Sequence, residues 1–233
     1  MKTNAETITV NGREYALHHS FVKIGVNELI HRYRDTDKFI AYCKECNKYN
    51  ACWSCPPFDF NTDEYLTSRQ IAYIIGTKII LDKETIDNNQ GWDKCTKIAY
   101  EIIEKVREGL DNVLLQLEEQ YPESKAFFAG SCHTCPIGKC TRITGKACIS
   151  PERIRPSLEA LGFDVSKIAA ELLNIEMKWS REGILPEYFT LVSGLFYNRN
   201  KLNVKCRGKN FRPLLLTHYH IYRFTLNVLH YHI

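Results

Sequence analysis

The sequence lacks any apolar run long enough to cross a bilayer as a helix. Its most apolar stretch, residues 71–81, is interrupted by Gly76 and Lys78, whereas a membrane-spanning helix needs about 20 predominantly apolar residues. The N-terminal residues MKTNAETITVNG carry an acid and turn formers where a secretory signal has its apolar core. We therefore expect a soluble, cytoplasmic protein with no membrane partner.

The sequence also lacks the common signatures of nucleotide-binding and hydrolytic enzymes. It contains no Walker loop or Rossmann fingerprint, and no serine–histidine arrangement can be recognised. Asp59, Asp63 and Glu64 follow the first cysteines and are interpreted as helix caps or solvated surface rather than catalytic acids. Whether the protein is an enzyme stays open, and the catalytic residues are unknown at this point.

Acidic residues are absent from the last part of the chain. Residues 201–233 hold six of the 31 Lys and Arg but no Asp or Glu, which leaves 25 basic and 27 acidic residues in 1–200. The main part of the chain therefore gives no electrostatic reason to expect a nucleic-acid partner. We divide the chain into a cysteine-rich domain, residues 1–200, and a basic, His- and aromatic-rich extension, residues 201–233, that we interpret as disordered or unselected sequence rather than a strand pair.

Local patterns predict a domain that mixes strands and helices. Asn11–Gly12 lies between two alternating runs, which is the strongest short-range signal for a β-hairpin. Apolar residues recur at helical steps from Ile98 to Leu117, and this predicts an amphipathic helix that ends by Pro122. Strands are predicted at residues 71–81, 125–129 and 188–197, and short helices from Pro156 to Gly162 and from Asp164 to Leu173. We predict an α+β fold, with a mixed or antiparallel sheet, packed helices and two cysteine-rich metal-binding loops.

Eight of the ten cysteines fall in two turn-rich segments. The first cysteine segment, residues 43–57, contains Cys43, Cys46, Cys52 and Cys55, and residues 39–60 show no helical or strand period. We interpret residues 39–60 as an ordered loop that a metal holds in shape. Zinc ribbons separate their C-x-x-C pairs by about 15–20 residues, but here the separation is five residues. Such compact spacing is closer to that of ferredoxin-type cluster loops.

The second cysteine segment, residues 130–148, contains Cys132, Cys135, Cys140 and Cys148 together with two glycines. The glycines, Gly138 and Gly145, permit the positive φ angles of a chain that folds tightly around a bulky group. Four thiolates on a [4Fe–4S] core leave a net charge of about −2, which nearby cations could balance. These cations are Lys139, Arg142, Lys146, Arg153 and Arg155. We interpret His133 as a group that supports the ligands rather than as a ligand.

Metal binding explains this clustering better than burial of inert thiols. Free cysteines that only fill a core would be scattered through apolar runs, yet only Cys95 and Cys206 lie outside the two segments. We favour an iron–sulfur cluster over zinc, in a protein that acts in electron transfer or a redox reaction. Its partner would be a redox protein or a small-molecule substrate. The alternatives are a structural zinc protein, or an enzyme that uses an open cluster iron as a Lewis acid.

The combined motifs resemble those of a known family. The pattern comprises Cys43, Cys46, Tyr49, Trp53, Cys55, Pro56, Pro57, Gly130, Cys132, Cys135, Cys140, Gly145, Cys148 and residues 155–165. From about Phe39 to about Tyr197 it resembles a family of uncharacterised bacterial and archaeal predicted metal-binding proteins. The resemblance implies metal binding and no particular activity. It assigns no cysteine to position 52, and the spacing from Cys135 to Cys140 is longer than expected. The predicted ligands are therefore Cys43, Cys46, Cys55, Cys132, Cys135, Cys140 and Cys148.

Overall fold

A computed structural model describes residues 6–136 and 138–198 of the chain. Within these residues five antiparallel strands form one sheet, in the order β1-β2-β3-β5-β4. The strands are β1 (Glu6–Val10), β2 (Arg13–Gly25), β3 (Ile71–Ile80), β4 (Lys125–Phe127) and β5 (Tyr188–Tyr197). The helices are α1 (Val26–Tyr33), α2 (Thr36–Lys44), α3 (Thr62–Thr67), α4 (Lys83–Asn88), α5 (Trp92–Gln120) and α6 (Val165–Leu173). The predicted α+β class is confirmed, while the predicted extension at 201–233 lies outside the described residues.

The N-terminal hairpin follows from the turn chemistry of Asn11 and Gly12. Their φ angles are 51° and 79°, and a two-residue hairpin turn of type I′ needs positive φ at both of these positions. Val10 and Arg13 pair directly on either side of the turn. The predicted hairpin is therefore confirmed, and its second strand continues to Gly25 and pairs with β3 from Ala16 onward.

The middle of the sheet is buried on both faces. On one face Ile74 and Phe196 pack in a core with α1 and α6. On the other face Ile79 and Leu195 pack with side chains of α5. Because both faces of β3 and β5 are covered, the sequences of these strands are nearly continuous apolar runs, as predicted for buried strands.

The longest helix, α5, spans the sheet and reaches the cysteine segments. Its buried residues include Ile102, Val106, Leu110 and Leu117, so the predicted amphipathic helix is confirmed. With 29 residues it is about 44 Å long. Neither α5 nor any other helix in the described part of the chain is long and apolar enough to cross a membrane.

Helix α2 corrects the predicted start of the cysteine-rich loop. We predicted an irregular segment from residue 39, but α2 continues to Lys44 and therefore carries Cys43 on its last turn. None of its residues is buried, so the helix leaves no apolar period in the sequence. Its first turn is fixed instead by the Asp35 side chain, which accepts a hydrogen bond from the Lys38 N–H at 3.1 Å.

A glycine turn packs against the start of α2. Gly162 has a φ of +91°, and a Cβ placed on it would lie 3.0 Å from Thr36 Cα. The Asp35 N–H donates to the Gly162 carbonyl at 2.9 Å. This turn therefore holds the helix that carries Cys43.

The chain before Gly162 differs from the predicted helix. Residues Glu159–Leu161 form only a 3-10 turn, and Ser157, two residues before it, forms a bridge with Phe128. The predicted stop at Gly162 is confirmed by its left-handed conformation. The predicted cap of the following helix is also confirmed, since Asp164 accepts from the Lys167 N–H at 2.9 Å.

Candidate metal centre

Side chains of each cysteine segment bind the backbone of the other. Arg142 donates to the carbonyl oxygens of Cys52 and Cys55 at 2.9 and 2.6 Å. Trp53 Nε1 donates in the opposite direction, to the Lys146 carbonyl at 3.2 Å. The Arg142 guanidinium also lies 5.1 Å from the centroid of the Trp53 ring. These contacts place the two segments side by side although they are far apart in the sequence.

Tight turns set the positions of the sulfurs in the first cysteine segment. The Cys46 N–H donates to the Cys43 carbonyl at 3.0 Å, and the Cys55 N–H donates to the Cys52 carbonyl at 3.0 Å. Between these turns Asn50 adopts a φ of 52°, a conformation that Asn tolerates better than most residues. Each C-x-x-C pair is therefore closed by its own backbone hydrogen bond.

Backbone N–H groups point at two sulfurs of the second cysteine segment. The Thr134 N–H donates to Cys132 Sγ at 3.4 Å, and the Ser150 N–H donates to Cys148 Sγ at 3.4 Å. Hydrogen bonds to a charged group favour its charged form. This geometry suits thiolates, which are the form of cysteine that binds metals.

The two glycines of the second cysteine segment have the backbone that we predicted. Gly138 has a φ of 72° and Gly145 has a φ of 67°. Gly145 ends the 3-10 turn Thr141–Thr144, and its N–H donates to the Arg142 carbonyl at 2.9 Å. The left-handed residue thus closes the turn that presents Arg142 to the first cysteine segment.

Five cysteines line one cavity between the segments. They are Cys52, Cys132, Cys135, Cys140 and Cys148. The cavity has a volume of about 70 Å³, whereas one water molecule needs about 10–15 Å³ on this measure. The space is therefore larger than a single ion requires.

The pKa values of three cysteines from the two segments depend on one another. The neighbouring thiols of Cys132 and Cys55 lower the pKa of Cys52 well below its usual range. The pKa values of Cys132 and Cys55 are raised by Cys52 and by burial. Ser54 Oγ lies 3.3 Å from Cys52 Sγ.

The remaining thiols of the second cysteine segment lie within electrostatic range of one another. Burial raises the pKa of Cys135, and the nearby thiols of Cys140, Cys148 and Cys52 raise it further. Like charges oppose ionisation of a group when they lie close to it. Binding a cation would relieve this repulsion.

A buried carboxylate lies near Cys43. Glu159 Oε2 is buried without a hydrogen-bond partner, and burial raises the pKa of this carboxyl group. The pKa of Cys43 is raised by burial, then by Cys46 and Glu159. This electrostatic effect could not be predicted from the cysteine spacing, because Glu159 follows the cysteine segments in a turn.

A known family matches most of the chain. A family model described as "Predicted metal-binding protein (DUF2284)" matches residues 30–196, a range that includes both cysteine segments. The chain belongs to this family. No curated protein and no solved structure matches the chain. The family membership confirms the resemblance predicted from the motifs.

Within the family range, His133 is bound through both of its ring nitrogens. Nδ1 lies 2.7 Å from Glu104 Oε2, and Nε2 lies 3.1 Å from Asp111 Oδ2. Hydrogen bonds to Asp111 and then Glu104 raise the pKa of His133 to about 9. Neither nitrogen is free for a metal, in agreement with our interpretation of His133 as a supporting group.

The carboxylates that hold His133 come from α5 and were missed in the sequence. Glu104, Arg107 and Asp111 lie at steps of three and four residues, so they share one face of the helix. Arg107 donates to Glu104 at 2.5 Å and also to the Ser131 carbonyl. The helical spacing of these three charged residues was the available signal in the sequence. Charged groups on a buried helix face need partners, so this spacing indicates a polar contact.

The five cations that were predicted to balance thiolate charge do not all lie against the cysteine segments. Arg142 lies against the first cysteine segment and donates to its carbonyl oxygens. Arg155 instead pairs with Glu118 of α5, with its Nε 2.8 Å from Oε1, so the expectation that it balances thiolate charge is corrected. Arg153 donates to the side chain of Asn112 at 3.0 Å, and Lys139 and Lys146 are exposed.

The cysteines that line the cavity do not form a closed site for a single ion. Among residues 6–136 and 138–198, no group of three or more His, Cys, Asp or Glu could hold a metal ion as arranged, whereas a zinc site needs sulfurs about 2.3 Å from one common point. Five cysteines instead surround one cavity. Cys52 is among them although it was not one of the seven predicted ligands.

Proposed function

We propose that this protein binds an iron–sulfur cluster between its two cysteine segments and acts in electron transfer or a redox reaction. The observation that carries the proposal is the cavity lined by five cysteines in a member of a metal-binding family. When bound, such a cluster supplies one-electron redox chemistry. The seven predicted cysteine ligands are part of this proposal.

The surroundings of the thiols support binding of a thiolate-ligated group. Backbone N–H groups donate to Cys132 and Cys148, and the Arg142 guanidinium is held beside Cys52 and Cys55 by their carbonyl oxygens. Hydrogen bonds and nearby cations stabilise the negative charge that cysteine ligands and a cluster carry together. The same groups would tune the reduction potential of the centre.

The position of the thiols supports exchange of electrons with a partner. Cys46 is exposed, and the four cysteines of the second segment are only half-buried. Ile143 and Ile149 lie beside Cys140 and Cys148 in the sequence, with 54% and 67% of their surface exposed. Apolar side chains at an exposed rim suit a short-lived contact with a redox protein.

Anaerobic purification of the full chain tests the proposal. We expect a brown protein that contains iron and acid-labile sulfide in matching amounts, with an electron paramagnetic resonance signal after reduction. Cys55→Ser and Cys148→Ser should each lose iron and sulfide together. Cys95→Ser is the matched control, because Cys95 is buried away from the segments and donates to the Gly183 carbonyl at 2.8 Å. A colourless protein that contains only zinc would contradict the proposal.

A further inference from the structure

We infer that Cys52 of the first cysteine segment is a ligand of the metal centre formed by the cysteines of the second cysteine segment. The two segments would thereby share one metal centre. This inference rests on the proposed function, and it adds a ligand that neither the motif pattern nor the family description assigns.

Cys52 faces the second cysteine segment. It lines the same cavity as Cys135, Cys140 and Cys148, and only 4% of its surface is exposed. The other cysteines of its own segment are absent from the lining of this cavity. Cys52 is therefore the residue through which the first segment contributes sulfur to the cavity.

The backbone around Cys52 is fixed by the second cysteine segment. Arg142 binds the Cys52 carbonyl at 2.9 Å, and the next residue, Trp53, binds the Lys146 carbonyl at 3.2 Å. Ser54 Oγ then accepts from the Cys132 N–H at 2.8 Å. Three consecutive residues are thus tied to the second segment by groups other than the Cys52 thiol. The sulfur is positioned before any metal binds, as a preorganised ligand requires.

Two alanine variants of the full chain test this assignment. Cys52→Ala and Cys95→Ala are reconstituted anaerobically with ferrous iron and sulfide. Bound iron, bound sulfide, visible absorption and the electron paramagnetic resonance of the reduced protein are then compared with wild type. Cys95→Ala is the matched control, since it removes a thiol that is 2% exposed, close to the 4% of Cys52. Far-UV circular dichroism of each metal-free variant reports folding.

We expect Cys52→Ala to keep at most about half of the wild-type iron and sulfide, because it removes a protein ligand of the shared centre. Cys95→Ala should keep the wild-type content and spectrum. Wild-type content in Cys52→Ala would overturn this assignment alone. Wild-type protein that takes up neither iron nor sulfide would instead overturn the proposed function, and the assignment with it.

Cys52→Ser covers the case in which the alanine variant does not fold. Serine keeps a hydrogen-bonding group near Ser54 Oγ, which lies 3.3 Å from the wild-type sulfur, and it offers oxygen in place of sulfur. A direct ligand exchange would shift the electron paramagnetic resonance spectrum and the reduction potential. A spectrum and potential identical to those of wild type would show that Cys52 only positions the loop, and would refute the assignment.

Discussion

The sheet and the cysteine segments are held together by different interactions. In the sheet, the rings of Phe127 and Phe196 are fully buried, with centroids 4.2 Å apart. In the cysteine segments, Arg142 and Trp53 reach across to backbone carbonyls, and most of the thiols are half-buried or exposed. Apolar burial thus defines one region, while directional polar contacts define the other. The two regions should respond to different perturbations.

The largest expected effect is loss of a ring from the sheet. Phe196→Ala should lower the free energy of unfolding by about 4 kcal/mol, because it removes apolar contacts and leaves a cavity. Thermal unfolding should shift by roughly 10 °C, while the folded fraction should bind the same amount of iron. Tyr100→Ala is the control, because Tyr100 is an aromatic residue that is 50% exposed. Loss of iron from folded Phe196→Ala would contradict the proposal that the sheet and the cysteine segments respond to different perturbations.

Removal of Arg142 should have a smaller effect, confined to the cysteine segments. Arg142→Ala removes the side-chain donor from the carbonyls of Cys52 and Cys55, at a cost of about 2 kcal/mol. A chelator should then remove iron at least about 10-fold faster than from wild type, if most of that cost falls on the loaded site. Arg153→Ala is the matched control, because Arg153 contacts Asn112 rather than the first cysteine segment. Equal rates in both variants would argue that the segments are held by other contacts.

Metal removal should loosen the cysteine segments more than the sheet. Amide hydrogen exchange in residues 45–57, 130–136 and 138–150 should accelerate roughly 10-fold after chelation, because these residues bury little apolar surface of their own. Exchange in β3 and β5 should stay unchanged. The measurement is mass spectrometry of the loaded and metal-free protein. Equal acceleration in the sheet would indicate that the two regions unfold as one unit.

The smallest effect on stability is expected when the pH is lowered, at Asp82, which follows strand β3. Asp82 Oδ1 accepts from the Thr85 N–H at 2.6 Å and lies 3.0 Å from an Arg13 nitrogen. The backbone hydrogen bond, helped by Arg13, lowers the pKa of Asp82. A carboxyl group with a lowered folded-state pKa stabilises the protein above its unfolded pKa of about 3.9. This stabilisation is lost as the pH falls through the folded-state value.

Asp82→Asn tests this pH effect, because asparagine also caps helices but does not ionise. Wild type should lose stability relative to the variant below about pH 4, by less than about 1 kcal/mol. Urea unfolding at several pH values measures the difference. Parallel pH profiles of wild type and Asp82→Asn would contradict the expectation.

The elements that the sequence predicted are those with a periodic pattern or a specific turn chemistry. Asn11 and Gly12 identified the hairpin, and apolar steps identified α5. Helix α2 was missed because none of its residues is buried, so it has no apolar face to detect. Its cap at Asp35 was the available signal, but a cap without a following period is weak.

The candidate site was predictable in composition and not in arrangement. The C-x-x-C spacings identified both cysteine segments, yet no spacing reveals that Arg142 binds the Cys52 carbonyl across 90 residues. Cys52 was left out because the family pattern assigns no cysteine to its position. The support of His133 by α5 was likewise hidden, because tertiary packing decides which face of a helix meets a loop.

The glycine at position 162 has a consequence for the chemistry of the cysteines. Its missing side chain lets the turn touch the first residue of α2, and the last turn of that helix carries Cys43. Even one methyl group there would press on the helix and tilt a sulfur at its far end. Evolution could therefore alter the geometry of the first cysteine segment by a substitution that lies outside both cysteine segments.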